Sequence, residues 1–160
     1  MPSILIIDDE EPIAWALRRA FEREKYRVGV AATAEDGLAQ ARKNQPDIVF
    51  LDVRLPGMDG LTALAELRKI APNAAVIIIT AHGNLNTAVK AVEGGAYDYL
   101  AKPFDLAQAL EAAKRALTRA RRKLLVIGDS ATLANHPFYQ RMLTYFESIG
   151  AYSSVWEEAE

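Results

Sequence analysis

Five residues whose side chains could bind a charged ligand stand at or just after the ends of short apolar runs. They are Asp8, Asp9, Asp52, Thr80 and Lys102. Runs of this kind indicate buried parallel strands, and the carboxyl ends of parallel strands share one edge of a sheet, where ligands bind. We therefore expect the five side chains to meet in one pocket. Carboxylates beside a cation and a hydroxyl suit a hard metal ion and a phosphoryl group.

Strand-like and helix-like patterns alternate along residues 1–122 and would position these side chains. Strands are expected at residues 4–8, 27–31, 47–52, 75–80 and 97–100. Apolar residues at helical spacing predict a helix after each strand. Pro12 suits the first turn of the first helix, Thr33 with Asp36 forms a capping box for the second, and Asp105 caps the last. Five strands alternating with five helices predict an α/β fold with a doubly wound parallel (βα)5 sheet.

The composition of the 160-residue chain limits the kinds of site that it could form. Apolar residues make up 51% of the chain, which is enough for a substantial core. The absence of cysteine excludes disulfides, thiolate zinc sites and thiol nucleophiles. A net charge of −2 argues against general affinity for nucleic acid, and no apolar stretch approaches the roughly 20 residues of a transmembrane helix. We expect a soluble, cytoplasmic protein without membrane contact.

Residues 123–160 form a second region with its own pattern. A strand is expected at 124–127, a helix at 136–149 and another strand at 151–156, an order that imperfectly repeats the first strand, helix and strand of the chain. A βαβ unit alone cannot close a core. This extension is therefore expected to be the start of a truncated second α/β domain, or to dock on the first domain or on another chain.

Four motifs follow one another along about three quarters of the chain. They are Ile-Ile-Asp-Asp-Glu (6–10), Phe-Leu-Asp-Val-Arg-Leu-Pro-Gly-Met-Asp-Gly (50–60), Ile-Ile-Ile-Thr-Ala (77–81) and Asp-Tyr-Leu-Ala-Lys-Pro-Phe (98–104). Together they resemble the receiver domain of bacterial two-component response regulators, which has a flavodoxin-like, CheY-like fold. The last motif is most similar to receivers of NtrC-like transcriptional activators. Those receivers normally continue into an ATPase domain, whereas this chain has no Walker loop, so its output is expected to be absent or different.

The resemblance implies a role for each residue of the pocket. Asp52 would be the phosphoacceptor, a carboxylate nucleophile that forms an acyl phosphate. Asp8 and Asp9 would hold Mg²⁺ together with Asp52 and the backbone carbonyl of Arg54. Lys102 would pair with a phosphoryl oxygen or, in its absence, with Asp52.

Further residues beside the pocket are implied to respond to the phosphoryl group. Thr80 would donate its hydroxyl to that group, and Tyr99 would turn inward when Thr80 moves. Pro103 would follow a cis peptide bond. Arg54 and His82 would tune the lifetime of the phosphoryl group by shielding or orienting the attacking water. The alternative for these last two is that both are solvent-facing loop residues.

The leading hypothesis is a phosphorylation-driven switch, and no enzymatic activity is expected beyond self-phosphorylation and dephosphorylation. A sensor histidine kinase would donate the phosphoryl group. The surface of the fourth helix, fifth strand and fifth helix would then change and bind a second copy of the chain or a downstream output partner, as in the regulation of transcription.

Two other functions fit parts of the sequence. A phosphorylation-independent interaction module could have the same fold, although the intact acidic and basic residues of the pocket argue against it. An esterase beginning at residue 124 would use the Gly-Asp-Ser sequence at 128–130, but His136 is too close to serve as its base.

The basic cluster of Arg115, Arg119 and residues 121–123 is interpreted as a solvated helix end or linker. Direct contact of the receiver with nucleic acid is not expected, because aromatic residues do not interleave with these charges.

Overall fold

The computed structural model of the protein describes residues 1–81 and 85–125. Its first compact unit comprises Met1–Arg119. The predicted extension, residues 123–160, lies outside the described residues apart from 123–125, which belong to a helix. The predicted domain boundary at residue 122 therefore stays a prediction.

Strands and helices alternate through the described part of the chain, as the sequence predicts. The strands are β1 (Ser3–Ile7), β2 (Arg27–Ala31), β3 (Ile48–Asp52), β4 (Ala75–Ala81) and β5 (Asp98–Lys102). The helices are α1 (Glu11–Arg23), α2 (Ala34–Asn44), α3 (Gly60–Ile70), α4 (Leu85–Glu93) and α5 (Leu106–Leu125). The bounds of the strands differ from the predicted ones by one or two residues at several ends, as at Asp8, which follows β1. None of the described helices combines the length and the apolar content needed to cross a membrane.

The five strands form one parallel sheet in the order β2-β1-β3-β4-β5. The predicted doubly wound fold is therefore confirmed. The central strand is β3, and all five of its residues are buried, in agreement with its apolar sequence. After β1, the chain forms β2 on one side of β1 within the sheet. It then crosses to the opposite side of β1, where it forms β3. Ligands of such sheets bind where the strand order reverses, beyond the carboxyl ends of these two strands.

The core lies in two layers, one on each face of the sheet. Alternate strand residues face opposite layers because successive side chains of a strand point to opposite faces. Leu51 packs with α2, α3 and Ala91 of α4, whereas its neighbour Phe50 packs with α1 and α5. Phe50 also contacts Phe21 of α1, with ring centroids 5.1 Å apart. This two-sided burial fixes the sheet, and with it the positions of the strand ends.

The starts of α1 and α2 follow the residues that the sequence predicts, whereas Asp105 directly precedes α5 and capping by its side chain stays a prediction. Thr33 is the N-cap of α2, and its hydroxyl accepts a hydrogen bond from the backbone N–H of Asp36 at 3.2 Å. Pro12 lies in the first turn of α1. At the start of α5, Gln108 Oε1 accepts a hydrogen bond from the backbone N–H of Asp105 at 2.9 Å. These bonds satisfy N–H groups that have no partner inside the helix.

The predicted strand at residues 124–127 is wrong for Leu124 and Leu125, which form the end of α5. The sequence of α5 contains no glycine or proline and is rich in alanine, leucine and arginine, all strong helix formers. Because nothing in this stretch interrupts helical hydrogen bonding, the helix continues past the expected boundary. The other elements predicted between residues 126 and 160 lie outside the described residues.

Candidate functional site

The buried polar and charged residues of the described chain all lie at the carboxyl edge of the sheet. They are Asp8, Asp52 and Thr80, with exposed fractions of 2%, 3% and 5%. Asp8 directly follows β1, Asp52 ends β3 and Thr80 is the penultimate residue of β4. Because polar groups are costly to bury without partners, their presence at one edge marks a site and not a part of the core.

Lys102, the last residue of β5, brings three carboxylates together. Its Nζ lies 3.0 Å from Glu10 Oε1, 3.1 Å from Asp52 Oδ2 and 3.2 Å from Asp8 Oδ2. The lysine side chain is only 11% exposed. Burial lowers its pKa, but the hydrogen bonds to Glu10 and Asp52 outweigh this effect and raise the pKa above its usual range. Lys102 therefore stays a cation in the site at physiological pH.

Asp52 is held at both of its carboxylate oxygens. Oδ2 accepts a hydrogen bond from Lys102 Nζ, and Oδ1 accepts one from the backbone N–H of Arg54 at 3.1 Å. The loop from β3 to α3 lies close against the strand, because the backbone N–H of Gly60 donates to the carbonyl of Val53 at 2.8 Å. A Cβ atom on Gly60 would overlap the backbone of Asp52 and Val53. Glycine at this position therefore permits the close approach that orients Asp52.

A second element also holds this loop. The carboxylate of Glu35 on α2 accepts a hydrogen bond from the backbone N–H of Met58 at 3.3 Å. Gly57, next to Met58, has a φ of +77°, a conformation that glycine adopts without strain. The loop that leaves Asp52 is thus anchored at its far end by α2.

Asp8 has one oxygen that makes no hydrogen bond. Its Oδ1 accepts from the backbone N–H of Glu10 at 2.9 Å. Its Oδ2 is buried and lies near Lys102 Nζ but outside hydrogen-bonding geometry. Burial and, less strongly, the charge of Asp52 raise the pKa of Asp8 from 3.8 to about 6, while the Glu10 N–H and Lys102 oppose the rise. A buried carboxylate oxygen of this kind is a ready ligand for a cation.

The carboxylates of Asp8, Glu10 and Asp52 fit a divalent metal ion. Each offers one oxygen, and the three oxygens lie within 4.8 Å of one another. Three carboxylates against the single ammonium of Lys102 leave two negative charges without compensation. Hard cations such as Mg²⁺ prefer oxygen ligands of this type. The buried Oδ2 of Asp8, which makes no hydrogen bond, and this excess of negative charge make the residues suitable for such an ion.

Glu10 takes the place in this group that the sequence assigns to Asp9. Asp9 is exposed and does not belong to the group of three carboxylates, so its predicted role as a metal ligand stays a prediction. Glu10 was not singled out by the strand-end pattern, because it stands two residues after Asp8. Its signal in the sequence is a carboxylate inside the first motif, immediately before the helix that begins at Glu11.

The other predicted site residues occupy different environments. Thr80 is buried at the same edge of the sheet. The peptide bond before Pro103 is cis, the isomer that the resemblance implies. Tyr99 is 45% exposed, so it does not point into the core. Arg54 is exposed, and the direction of its carbonyl stays a prediction. His82 lies outside the described residues.

Exposed apolar side chains concentrate on α4, β5 and the start of α5. Six large apolar residues of the described chain are exposed, and four of them belong to these elements: Val89 (46%), Val92 (62%), Tyr99 (45%) and Leu106 (41%). We call these four residues the α4–β5–α5 surface. Arg115 of α5 pairs with Asp98 of β5 at 3.1 Å, so two of the elements that carry this surface, β5 and α5, are linked to each other.

Comparison with protein families gives one match to this chain. Residues 4–114 match the family model described as the response regulator receiver domain. The matched range contains all of the site residues discussed above and ends within α5.

Two curated relatives differ in how much of their length the chain covers. The chain is 40% identical over 119 residues to the DNA-binding transcriptional regulator NtrC of Proteus hauseri, a match that covers 74% of this chain and 25% of the relative. It is also 40% identical over 114 residues to sporulation initiation phosphotransferase F of Bacillus subtilis, which covers 71% of this chain and 92% of the relative. The chain thus spans about a quarter of the first relative and nearly all of the second.

A solved structure agrees with the sequence comparisons. The receiver domain of NtrX from Brucella abortus superimposes with a TM-score of 0.69 at 38% sequence identity. The match covers 72% of this chain and 98% of that domain. The fold is therefore shared along the whole length of the solved domain.

Proposed function

The chain belongs to the response regulator receiver domain family, and from this premise we propose that Asp52 accepts a phosphoryl group and thereby switches the protein between two states. The observation that carries the proposal is the position of Asp52, buried at the end of the central strand with its Oδ2 on Lys102 and two further carboxylates beside it. A structural carboxylate would need neither the lysine nor the additional acids, because a hydrogen bond from a backbone N–H would suffice.

The proposed reaction is a transfer between a phosphodonor and the Asp52 carboxylate. A carboxylate oxygen attacks the phosphorus of phosphohistidine, the bond from phosphorus to the imidazole nitrogen breaks, and the electron pair returns to that nitrogen. The product is an acyl phosphate. Later attack by water on phosphorus releases inorganic phosphate and restores the carboxylate. Lys102 pairs with a phosphoryl oxygen, and the hydroxyl of Thr80 donates to another, so that both stabilise the negative charge of the transferred group.

Mg²⁺ is the cofactor that we propose for this transfer. Receiver domains bind this ion in an acidic pocket, and here Asp8, Asp52 and the backbone carbonyl of Arg54 would hold it, together with Asp9 or Glu10. When bound, the ion neutralises oxygens of the transferred group. The carboxylates themselves orient Lys102, and their two uncompensated negative charges favour a divalent cation.

The response to phosphorylation is proposed to reach the α4–β5–α5 surface through β4 and β5. Thr80 of β4 lies beside Ala101 of β5 in the register of the sheet, two residues from Tyr99. Movement of Thr80 toward the phosphoryl group would open space for the exposed ring of Tyr99 to turn inward. The change alters a surface that already exposes apolar side chains, which suits binding to a second copy of the chain or to an output partner.

The partners in the cell remain proposals as well. A sensor histidine kinase would donate the phosphoryl group, and the output would be the regulation of transcription, which is the role that the name of the relative NtrC, a DNA-binding transcriptional regulator, gives for that protein. Receiver domains are regulators and not enzymes in the usual sense, and the self-phosphorylation chemistry is part of the present proposal. The cytoplasmic location expected from the sequence stays a prediction.

The second candidate function is an interaction module that does not depend on phosphorylation. The exposed apolar residues of the α4–β5–α5 surface would serve such a module equally well. The buried site argues for the first function, because Asp8, Asp52 and Lys102 would otherwise carry an electrostatic cost without use. The esterase hypothesis concerns residues 128–136, which lie outside the described residues.

Intact-mass measurement after incubation with acetyl phosphate tests the proposal. We expect one added phosphoryl group on the wild type in Mg²⁺ and none in EDTA. Asp52→Asn should take up no phosphoryl group, because the amide is not a nucleophile. Asp36→Asn, which changes an exposed carboxylate on α2, is the matched control and should behave like the wild type. A folded wild type that neither takes up a phosphoryl group nor binds beryllofluoride would favour the interaction module.

A further inference from the structure

Glu10 occupies the N-cap of α1, yet its side chain forms no capping hydrogen bond to the helix. Short polar side chains are favoured at this position because they reach the free N–H groups of the first turn. The carboxylate of Glu10 instead accepts a hydrogen bond from Lys102 Nζ at 3.0 Å, across 92 positions of the sequence. The side chain is therefore directed to the site and not to the helix.

Glu10 also differs from the other two partners of Lys102 in its exposure. The side chain of Glu10 is 56% exposed, whereas those of Asp8 and Asp52 are 0% and 5% exposed. Water can solvate the Glu10 carboxylate if it turns away from the lysine, so breaking this pair costs less than breaking either buried pair. Glu10 is thus the partner that can release Lys102 most easily.

We propose that Glu10 is a positioning residue that holds Lys102 in the unphosphorylated site and competes with the arriving phosphoryl group for it. This role rests on the proposed function of Asp52. The Lys102 ammonium has three N–H donors and lies among three carboxylates. Nζ donates hydrogen bonds to Glu10 and Asp52 but none to Asp8. A phosphoryl oxygen therefore competes with Glu10 and Asp52 for the ammonium, and Glu10 is the more exposed of the two. Its negative charge also opposes the approach of an anionic phosphodonor.

Glu10→Gln tests the competition because it removes the charge and keeps the shape of the side chain. Calorimetric titration with Mg²⁺ first fixes a saturating concentration for each protein. At saturation, we expect Glu10→Gln to bind beryllofluoride, an analogue of the phosphoryl group, about two- to tenfold more tightly than the wild type. The difference should shrink at high ionic strength, because the Glu10 carboxylate is exposed to screening ions.

Glu11→Gln is the matched control for this measurement. Glu11 is the next residue and is also exposed. Its replacement by glutamine removes one negative charge at the same end of α1. It forms no ion pair within the described residues. If the effect of Glu10 comes only from general charge near the site, both variants will bind beryllofluoride equally, and the proposed role will be wrong.

A double-mutant cycle provides a readout that does not require a phosphoryl analogue. Urea unfolding of the wild type, Glu10→Gln, Lys102→Ala and the double variant, all in EDTA, measures the coupling between the two side chains. We expect a stabilising coupling, and its absence would overturn the proposal. Binding of beryllofluoride by the wild type with no change in Glu10→Gln would contradict only the role of Glu10. Failure of the wild type both to bind it and to take up a phosphoryl group would contradict the proposed function itself, and this role with it.

Discussion

Asp8 is the residue whose environment is least favourable to its own charge. Its buried Oδ2 makes no hydrogen bond, and its pKa is raised from 3.8 to about 6 by burial first and by the charge of Asp52 second. A raised carboxyl pKa means that the folded state binds a proton more tightly than the unfolded state does. Stability that Asp8 contributes in its protonated form is therefore lost as the pH rises from about 4 to above 6.

Replacement of Asp8 by asparagine should stabilise the metal-free protein at neutral pH. The difference between a pKa of 3.8 and one of about 6 corresponds to at most about 3 kcal/mol. We expect Asp8→Asn to exceed the wild type in free energy of unfolding at pH 7 in EDTA, and the excess to shrink toward pH 4.5. Urea denaturation followed by circular dichroism at the two pH values measures this difference.

Mg²⁺ should reverse this order of stability. The ion binds carboxylates that are deprotonated, so it stabilises the folded wild type and stabilises Asp8→Asn less. Asp47→Asn, which alters an exposed carboxylate at the opposite edge of the sheet, should respond to Mg²⁺ as the wild type does. If Asp8→Asn shows the same pH dependence as the wild type, the environment inferred for Asp8 is wrong.

At the scale of the elements, the connection from β3 to α3 determines how Asp52 is presented. It leaves the strand at Asp52 and enters α3 at Gly60, whose backbone N–H bonds to the carbonyl of Val53. The atoms that a Cβ on Gly60 would meet are backbone atoms, which cannot rotate away as a side chain could. The helix and the end of the strand must therefore separate if any side chain is present at this position.

Gly60→Ala should damage both stability and the site. Overpacking of this kind costs about 1–3 kcal/mol, and the strain falls on the residue that we propose to be phosphorylated. We expect a lower free energy of unfolding in urea and slower modification by acetyl phosphate. Ala65→Ser, on the exposed side of the same helix, is the control for a change in α3 alone. Normal stability and normal modification of Gly60→Ala would contradict the close packing described for this loop.

At the scale of the whole molecule, the large exposed apolar residues of the described chain are unevenly distributed. Most of the large exposed apolar residues of the described chain lie on the α4–β5–α5 surface, whereas Trp15 on α1 stands apart and stacks against Arg19, whose guanidinium carbon is 5.0 Å from the ring centroid. Exposed apolar side chains concentrated on a few elements indicate a binding surface. The same surface is connected to the site through β5, which carries both Tyr99 and Lys102.

Val92→Asp should therefore weaken self-association of the activated protein. Sedimentation velocity in Mg²⁺ and beryllofluoride should show a larger dimer fraction for the wild type than for Val92→Asp. Trp15→Asp is a matched control, since Trp15 and Val92 are both 62% exposed. Both variants should still bind beryllofluoride, because neither residue touches the site. A wild type that remains monomeric under these conditions would favour an output partner over a second copy as the occupant of this surface.

The sequence alone determined the fold and most of the site, for reasons visible in particular residues. The runs before Asp8, Asp52 and Thr80 are apolar enough to be strands buried on both faces, and helical spacing follows each one. Parallel strands connected by helices have their carboxyl ends at one edge, so a polar residue at the end of each run had to lie in the same place. The position of Lys102 at the end of β5 follows from the same rule.

Only the tertiary structure decided which neighbouring carboxylate joins Lys102. Asp9 and Glu10 are adjacent, and the sequence pattern does not distinguish the directions of side chains in the turn between a strand and a helix. The hydrogen bond from the Glu10 N–H to Asp8, together with the start of α1, turns Glu10 toward β5 and leaves Asp9 exposed. Contacts across 92 positions of sequence, as between Glu10 and Lys102, depend on the exact packing of the strands, which local patterns of residues do not encode.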